Sequence, residues 1–255
     1  MAKGDFSGKT VLVTGAGGGL GGAIITALTG HGATITACDQ NLDAMNNLNV
    51  ADRKIFNLLD QQQTVAMAQS LVDAGNVPNV LINNAGWTRA EILSSLTQQK
   101  IETEIGINLT GVMNFTMVIV NAMAKRGSGN VVFISSVNAI SHYGNPAYAA
   151  AKSGIEAFSR SIAVEYGKHG IRANAVCPGS IRTPAWDHRI ARDPTIPGKL
   201  TRIYPLGRIV ENTEVAEAVM FLASDRASGI TGVSLAVDAG LTAGNKPFID
   251  DILGE

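Results

Sequence analysis

Residues 10–21 read Thr-Val-Leu-Val-Thr-Gly-Ala-Gly-Gly-Gly-Leu-Gly, and this stretch decides the fold. Thr10–Thr14 is a short β-branched and apolar run, as a strand covered on both faces would be. Gly15, Gly17, Gly18, Gly19 and Gly21 follow directly, with Leu20 between the last two, and helical spacing starts near residue 19. A glycine turn at this place lets backbone N–H groups approach an anion at the positive end of the helix. A glycine run by itself is only a turn. Set between a strand and a helix, it is expected to cradle the pyrophosphate of a dinucleotide, although its spacing is Gly15-x3-Gly19-x-Gly21 and not G-x-G-x-x-G.

The alternation continues outward. Thr34–Cys38, Lys54–Leu58, Asn79–Ile82, Asn130–Ile134, Ile171–Val176 and Val233–Val237 read as strands, without the in/out alternation of a half-exposed sheet. Segments near 19–30, 61–73, 98–125, 148–168 and 212–224 carry helical spacing. Asp60 with Gln63 forms a capping pair for the second helix, and Gly30 and Gly32 beside His31 suit the end of the first. About seven strands alternating with helices imply an α/β fold: a Rossmann domain, doubly wound, its sheet mostly parallel with helices on both faces. A chain of 255 residues, 45% apolar and 16% charged, can bury one such core. No Pro-, Ser- or charge-rich stretch marks a linker, so residues 1–255 read as one domain. Ligands of such sheets bind beyond the carboxyl ends of the strands, where every motif below lies.

Composition narrows the classes. The formal net charge of −1 gives no electrostatic reason for nucleic acid or an anionic membrane as partner. Met1–Thr10 is too polar for a signal peptide, and no uninterrupted apolar run reaches the roughly 20 residues of a membrane span, so a cytoplasmic location is expected. Cys38 and Cys177 form no metal-spaced pair and read as small buried thiols. His31, His142, His169 and His188 lack zinc-ligand spacing, and no metal is expected.

Asp39 directly follows the second strand, where a carboxylate can accept both ribose hydroxyl protons; a plain turn aspartate is the alternative. It would also repel a 2′-phosphate carrying nearly two negative charges. No Lys or Arg in the glycine loop or at position 40 offsets that repulsion. NAD is therefore expected over NADP.

Tyr148 and Lys152 are four apart in a helical segment and share one face. An ammonium there can stabilise the phenolate, moving a pKa of about 10 towards the working range of a general base. Ser135 and Ser136 end the fifth strand, thirteen and twelve residues before Tyr148. A hydroxyl there could bind a substrate oxygen while the tyrosine exchanges its proton. Taken singly, each residue has a plainer account: an interfacial aromatic, a solvated lysine, strand-end hydrogen bonders. Asn108 falls on the stripe Ile101, Ile105, Val112 and is expected to face inward. It is either a core asparagine satisfied by backbone, or a residue that bends its helix and holds a water leading to Lys152.

Together these residues resemble the short-chain dehydrogenase/reductase family, in its form of about 250 residues. The resemblance runs from roughly Phe6 to Gly240. It covers T-G-A-G-G-G-L-G at 14–21, N-N-A-G at 83–86, Asn108, I-S-S at 134–136, Y-A-A-A-K at 148–152 and P-G-S-I-R-T at 178–183. It implies Tyr148 as general acid/base, Lys152 lowering its pKa and binding the nicotinamide ribose, Ser136 positioning the substrate oxygen and Asn108 holding a relay water. Asn84, Ala85 and Gly86 would line the cofactor, followed by Pro178 and Gly179, with Ile181 and Thr183 at the nicotinamide carboxamide. A homotetramer is implied as well.

Three departures stand out. The family usually spaces its serine thirteen residues from the tyrosine, which points to Ser135, whereas strand alignment favours Ser136. Asn57, beside Leu58, replaces an Asp that touches the adenine amino group; its side-chain carbonyl can accept the same proton. Asp238-Ala239-Gly240 has Ala where Gly is usual, and a tail, 241–255, follows that could cover the substrate cleft or contact a subunit.

The substrate segment is expected at about 184–210. Trp87, Arg89, Asn138, His142, Tyr143, Asn145, Trp186 and His188 offer amides, imidazoles and rings suited to a sugar, polyol or small hydroxy compound, or are ordinary loop residues. The expected activity is NAD(H)-dependent interconversion of a secondary alcohol and a ketone. A 3-oxoacyl-thioester reductase is the alternative, and a non-catalytic dinucleotide sensor the alternative of another class. Retention of both Tyr148 and Lys152 speaks against the sensor.

Overall fold

The computed structural model describes residues 4–89, 92–182 and 190–254. Seven strands form one sheet: β1 Thr10–Thr14, β2 Thr34–Asp39, β3 Asp52–Ile55, β4 Val80–Asn83, β5 Gly129–Ile134, β6 Ile171–Pro178 and β7 Ser234–Val237. Their spatial order is β3-β2-β1-β4-β5-β6-β7, and every neighbouring pair is parallel. The doubly wound sheet expected from the sequence is thus observed. The chain reverses its direction of winding between β1 and β4.

Strand alternation divides the core into two layers. Val11 and Val13 pack with Ile24, Ile25 and Leu28 of α1 (Gly19–Gly30) and with Val215 and Val219 of the helix Asn212–Ala223. Leu12 faces the other way, into a layer with Leu71 of α2 (Gln61–Asp73) and with Phe115 and Ile119. On that side α3 (Gln98–Ile105) runs through a single wide π turn, Gly106–Thr110, into α4 (Gly111–Arg126), and α5 (Pro146–Tyr166) lies alongside. The stretch Gln98–Arg126 is long and apolar enough to cross a membrane by length and composition. Counting uninterrupted apolar residues overlooks it, because uncharged polar residues break the run. Here its Val112, Phe115, Ile119 and Met123 are buried against the sheet.

Several local expectations hold. Asp60 caps α2 by accepting from the Gln63 N–H at 2.9 Å, but Gln63 Oε1 accepts from the Asn57 N–H and not from the cap, so the box is half formed. Gly32, just past the end of α1, has φ +88°. Both cysteines are buried and free.

Others are corrected. The third strand starts two residues before and ends three residues before Lys54–Leu58, and Phe56 is buried by stacking on Phe115, with ring centroids 4.9 Å apart, instead of by strand pairing. β7 is a largely exposed edge, so coverage of both faces holds for the central strands only. Ile101 is 42% exposed and does not share a buried stripe with Asn108, because the π turn that contains Asn108 breaks the 3.6-residue period. Within 184–210 the described part contains a further helix, α6 (Ile196–Ile203), and α7 is Asn212–Ala223.

Candidate active site

The site assembles at the carboxyl end of the sheet, on both sides of the switch between β1 and β4. Gly15 turns the chain at φ +65°. A Cβ on Gly21 would lie 2.3 Å from the Gly15 carbonyl oxygen, so only glycine lets α1 start this close to the turn. Gly18 precedes α1 in an extended conformation, and no side chain caps the helix. Its first N–H groups face a cavity of about 330 Å³ lined by Gly15, Gly18, Gly19, Leu20 and Gly21 on one side and by Asn84, Ala85 and Gly86 on the other. This is the arrangement an anion needs.

The two sides are tied together. Asn84 donates from Nδ2 to the carbonyls of Thr14 (3.1 Å) and Gly15 (2.9 Å), and the Asn84 and Ala85 N–H groups both donate to Thr14 Oγ1 at 3.1 Å. A second cavity, about 290 Å³, continues past Gly15 and Asp39 to Phe56, Asn57 and Leu58. Asp39 Oδ2 accepts from the Gly17 N–H at 2.9 Å and Oδ1 from the Asn41 N–H at 3.0 Å, leaving lone pairs on both oxygens towards the cavity rim. Among the described residues, no Lys or Arg lines this second cavity. Asn57 is exposed, its Oδ1 already accepting from the Leu59 N–H at 3.0 Å. The uncapped helix end and the paired cavities fit a dinucleotide.

Beyond Gly86 stands the pair Tyr148 and Lys152. Asn145, in the left-handed region at φ 51°, and Pro146 start α5 so that Tyr148 falls in its first turn. Lys152 is buried, donates from Nζ to the Ile134 carbonyl at 2.7 Å, and stands 5.4 Å from the centre of the Tyr148 ring. Burial pulls this lysine down to about 8. Burial likewise pushes Tyr148 up to about 12, with a hydrogen bond to Ser136 acting the other way and the Glu104 carboxylate adding to the rise. Burial thus opposes, in the cofactor-free protein, the acidification that an ammonium beside the phenol would bring.

The two serines separate cleanly, as neighbours on an extended strand must. Ser136 borders the same open cavity as Tyr148, its Oγ donating to Asn138 Oδ1 at 3.4 Å. Ser135 points behind the strand, donating to Glu156 Oε1 at 2.9 Å, to which the Cys177 thiol also donates at 3.0 Å. Strand register outweighs spacing, and Ser136 is the serine beside Tyr148.

Asn108 is fully buried in the π turn. Its Oδ1 accepts from the Trp87 N–H at 3.0 Å, and its Nδ2 donates to the Trp87 carbonyl at 2.7 Å and the Glu104 carbonyl at 2.9 Å. The side chain thus fixes the turn after β4, as the backbone-satisfied account expects, and the widened helix goes with it.

In front of Ser136 and Tyr148 is a cavity of about 640 Å³. Asn138 and Tyr143 border it, but so do Val137, Leu200, Ile203 and Leu241, which sequence reasoning passed over. Only the fold brings α6 and the start of the tail to this wall. Asn138 is also committed, its N–H donating to Ser136 Oγ at 3.1 Å and its Nδ2 to the Gly144 carbonyl at 2.8 Å. Tyr143 Oη donates to the Leu241 carbonyl at 3.5 Å, and Arg202 of α6 pairs with Asp251, so the tail packs against Tyr143 and α6. Pro178 ends β6, Gly179 borders the cavity and Ile181 bridges to Val210. Arg89 stacks over the half-exposed Trp87 ring at 5.4 Å. Thr183, Trp186 and His188 lie outside the described residues.

Comparison with known proteins agrees with this geometry. Residues 15–242 match the family described as Enoyl-(Acyl carrier protein) reductase. An uncharacterized oxidoreductase of Schizosaccharomyces pombe is 37% identical, covering 97% of this chain and 96% of its own. A 3-oxoacyl-[acyl-carrier-protein] reductase of Thermotoga maritima is also 37% identical, covering 92% and 98%. Among solved structures, an oxidoreductase of the short chain dehydrogenase/reductase family from Burkholderia thailandensis superposes with a TM-score of 0.88 at 35% identity, over 97% and 98% of the two chains. A gluconate 5-dehydrogenase from Burkholderia cenocepacia, in complex with NADP and tartrate, does so at 0.86 and 26% identity, over 95% and 98%.

Proposed function

Because the chain belongs to the short-chain dehydrogenase/reductase family, we propose that it is an NAD-dependent oxidoreductase interconverting a secondary alcohol and a ketone, with Tyr148 exchanging the proton. The observation that carries this reading is the meeting of the Ser136 and Tyr148 hydroxyls at one cavity, with Lys152 buried behind them. When bound, the dinucleotide supplies the hydride acceptor or donor. In oxidation the Tyr148 phenolate takes the proton of the substrate hydroxyl while Ser136 hydrogen-bonds its oxygen; in reduction Tyr148 returns that proton. Lys152 holds a positive charge below pH about 8, available to the ribose hydroxyls of a cofactor. Asn108 keeps the turn carrying Gly86 and Trp87 in place.

NAD is favoured by Asp39 and by the lack of a basic group along the described part of its cavity. The substrate is a compact hydroxy compound, a sugar or polyol in first place, with its reacting hydroxyl at Ser136 and Tyr148. The apolar wall of Val137, Leu200, Ile203 and Leu241 supports the second reading, a 3-oxoacyl thioester. The homotetramer rests on the family resemblance, and the exposed Val233 and Leu235 at edge strand β7 offer it an apolar contact surface.

The test follows nicotinamide absorbance with a panel of polyols, hydroxy acids and ketones. Wild type should favour NAD over NADP by at least roughly tenfold in kcat/KM, about 1.4 kcal/mol, and Asp39→Ala should narrow that ratio. Tyr148→Phe should keep the fold and NADH binding while turnover falls roughly 10²–10⁴-fold. Preference for NADP would overturn the cofactor assignment, and near-normal turnover in Tyr148→Phe the mechanism.

A further inference from the structure

Glu104 on α3 is a carboxylate only 5% exposed, four residues before Asn108, and it serves no step described so far. Its Oε1 accepts from the Arg89 N–H at 3.2 Å and its Oε2 from Asn108 Nδ2 at 3.2 Å. Glu104 and Asn108 therefore grip the same turn at two successive points, Trp87 and Arg89. That turn begins at Gly86, whose missing Cβ would sit 2.9 Å from Asn108 Oδ1 and 3.4 Å from Lys152 Nζ. The carboxylate is thus one side chain removed from the pair that moves the proton. A small cavity beside Tyr148 is lined by Glu104 together with Arg89 and Lys100.

We propose that Glu104 is a positioning residue for the Tyr148–Lys152 pair, bracing Asn108 and the Trp87–Arg89 turn against it and placing a buried negative charge in the wall of the site. The proposal rests on the reaction assigned above. A carboxylate is an expensive residue to bury for packing alone, and here its burial goes with the Arg89 N–H and the Asn108 amide that it holds. Its charge favours the protonated form of both neighbours, adding to the rise of Tyr148 and opposing the fall of Lys152. Among the described residues, the groups that share this field include Arg89 after β4, Lys100 on α3 itself, Tyr148 and Lys152 on α5, and Cys177 at the end of β6. Removing the charge should make both Tyr148 and Lys152 more acidic. Since the phenolate is the base in oxidation, the alkaline limb of that reaction should then move to lower pH.

Two readouts test this, one independent of turnover. The first is the pH profile of alcohol oxidation. The second is the 13C resonance of Lys152 Cε titrated in the cofactor-free protein and assigned by its loss in Lys152→Met. In Glu104→Gln both should move down by roughly half a pH unit or more. Glu104→Asp, which keeps the charge but shortens the reach, should lose turnover while leaving the Lys152 titration near its wild-type place. If Gln disturbs folding by setting its amide against the Arg89 N–H, Glu104→Ala carries the same expectation for the lysine resonance. A folded charge-removing variant with an unmoved Lys152 titration overturns the proposal. If wild type shows no Tyr148-dependent limb, the assigned reaction fails instead, and the lysine titration still decides the role of Glu104.

Discussion

Lys152 shows what the site costs the fold. Its pKa in the folded protein, about 8, lies below the ordinary lysine value of 10.5, so between these two pH values the unfolded chain binds more protons than the folded one. Stability should therefore rise with pH through that window, and the penalty is fully present below it. Lys152→Met removes the charge and should stabilise the cofactor-free protein at pH 7 by about 1–3 kcal/mol, less whatever the lost bond to the Ile134 carbonyl contributes. Turnover and NAD affinity should both fall. A denaturant midpoint that stays put or drops would show that burial of this ammonium is not the dominant strain. Ala239 carries a second local cost. It stands where the family usually has glycine, and its φ of +53° is left-handed backbone that an alanine adopts at a penalty of about 1–2 kcal/mol.

At the scale of elements, the start of α1 is held by an absence of atoms. Gly21→Ala sets a methyl against the Gly15 carbonyl oxygen and should push the helix off its turn, costing about 1–3 kcal/mol. NADH binding, followed by fluorescence, should weaken more than the melting temperature falls; an unchanged binding curve would mean that the helix end does not hold the cofactor. This part of the site was legible in the sequence because glycine spacing and backbone geometry are the same information. So were Tyr148 and Lys152, whose separation of four fixes a shared helix face before any tertiary contact exists. β3 was legible only in part. Asp52, Arg53 and Lys54 are polar enough for an edge, while the apolar signal of Phe56 and Leu58 belongs to the loop beyond it. Asn108 was read as inward-facing for the wrong reason, since a π turn carries no periodicity to detect. The apolar substrate wall was not legible, because Val137, Leu200 and Leu241 meet only through tertiary structure. Glu104 could have been flagged as a charge four residues before Asn108, but nothing local says that it is buried.

The whole molecule is two half-sheets joined along one seam. β3, β2 and β1 use residues 10–55 alone, β4 to β7 use residues 80–237, and the seam is the short pairing of Val11, Leu12 and Val13 with Val80, Leu81 and Ile82. Asp39 and the glycines sit on one half; Ser136, Tyr148 and Lys152 sit on the other. The crossover passes through an exposed turn at Gly75, where φ is +73°. A chain cut after Gly75 should yield two fragments that are each inert. Mixed or co-expressed, they should recover NADH binding and turnover, because α1 packs on α7 and α2 on α4 across the seam. Failure of soluble fragments to recombine would show that covalent continuity through this turn is needed to align the halves. Success would make the halves a split enzyme: diluted below the concentration at which they pair unaided, they would regain their signal only where two foreign proteins fused to them met.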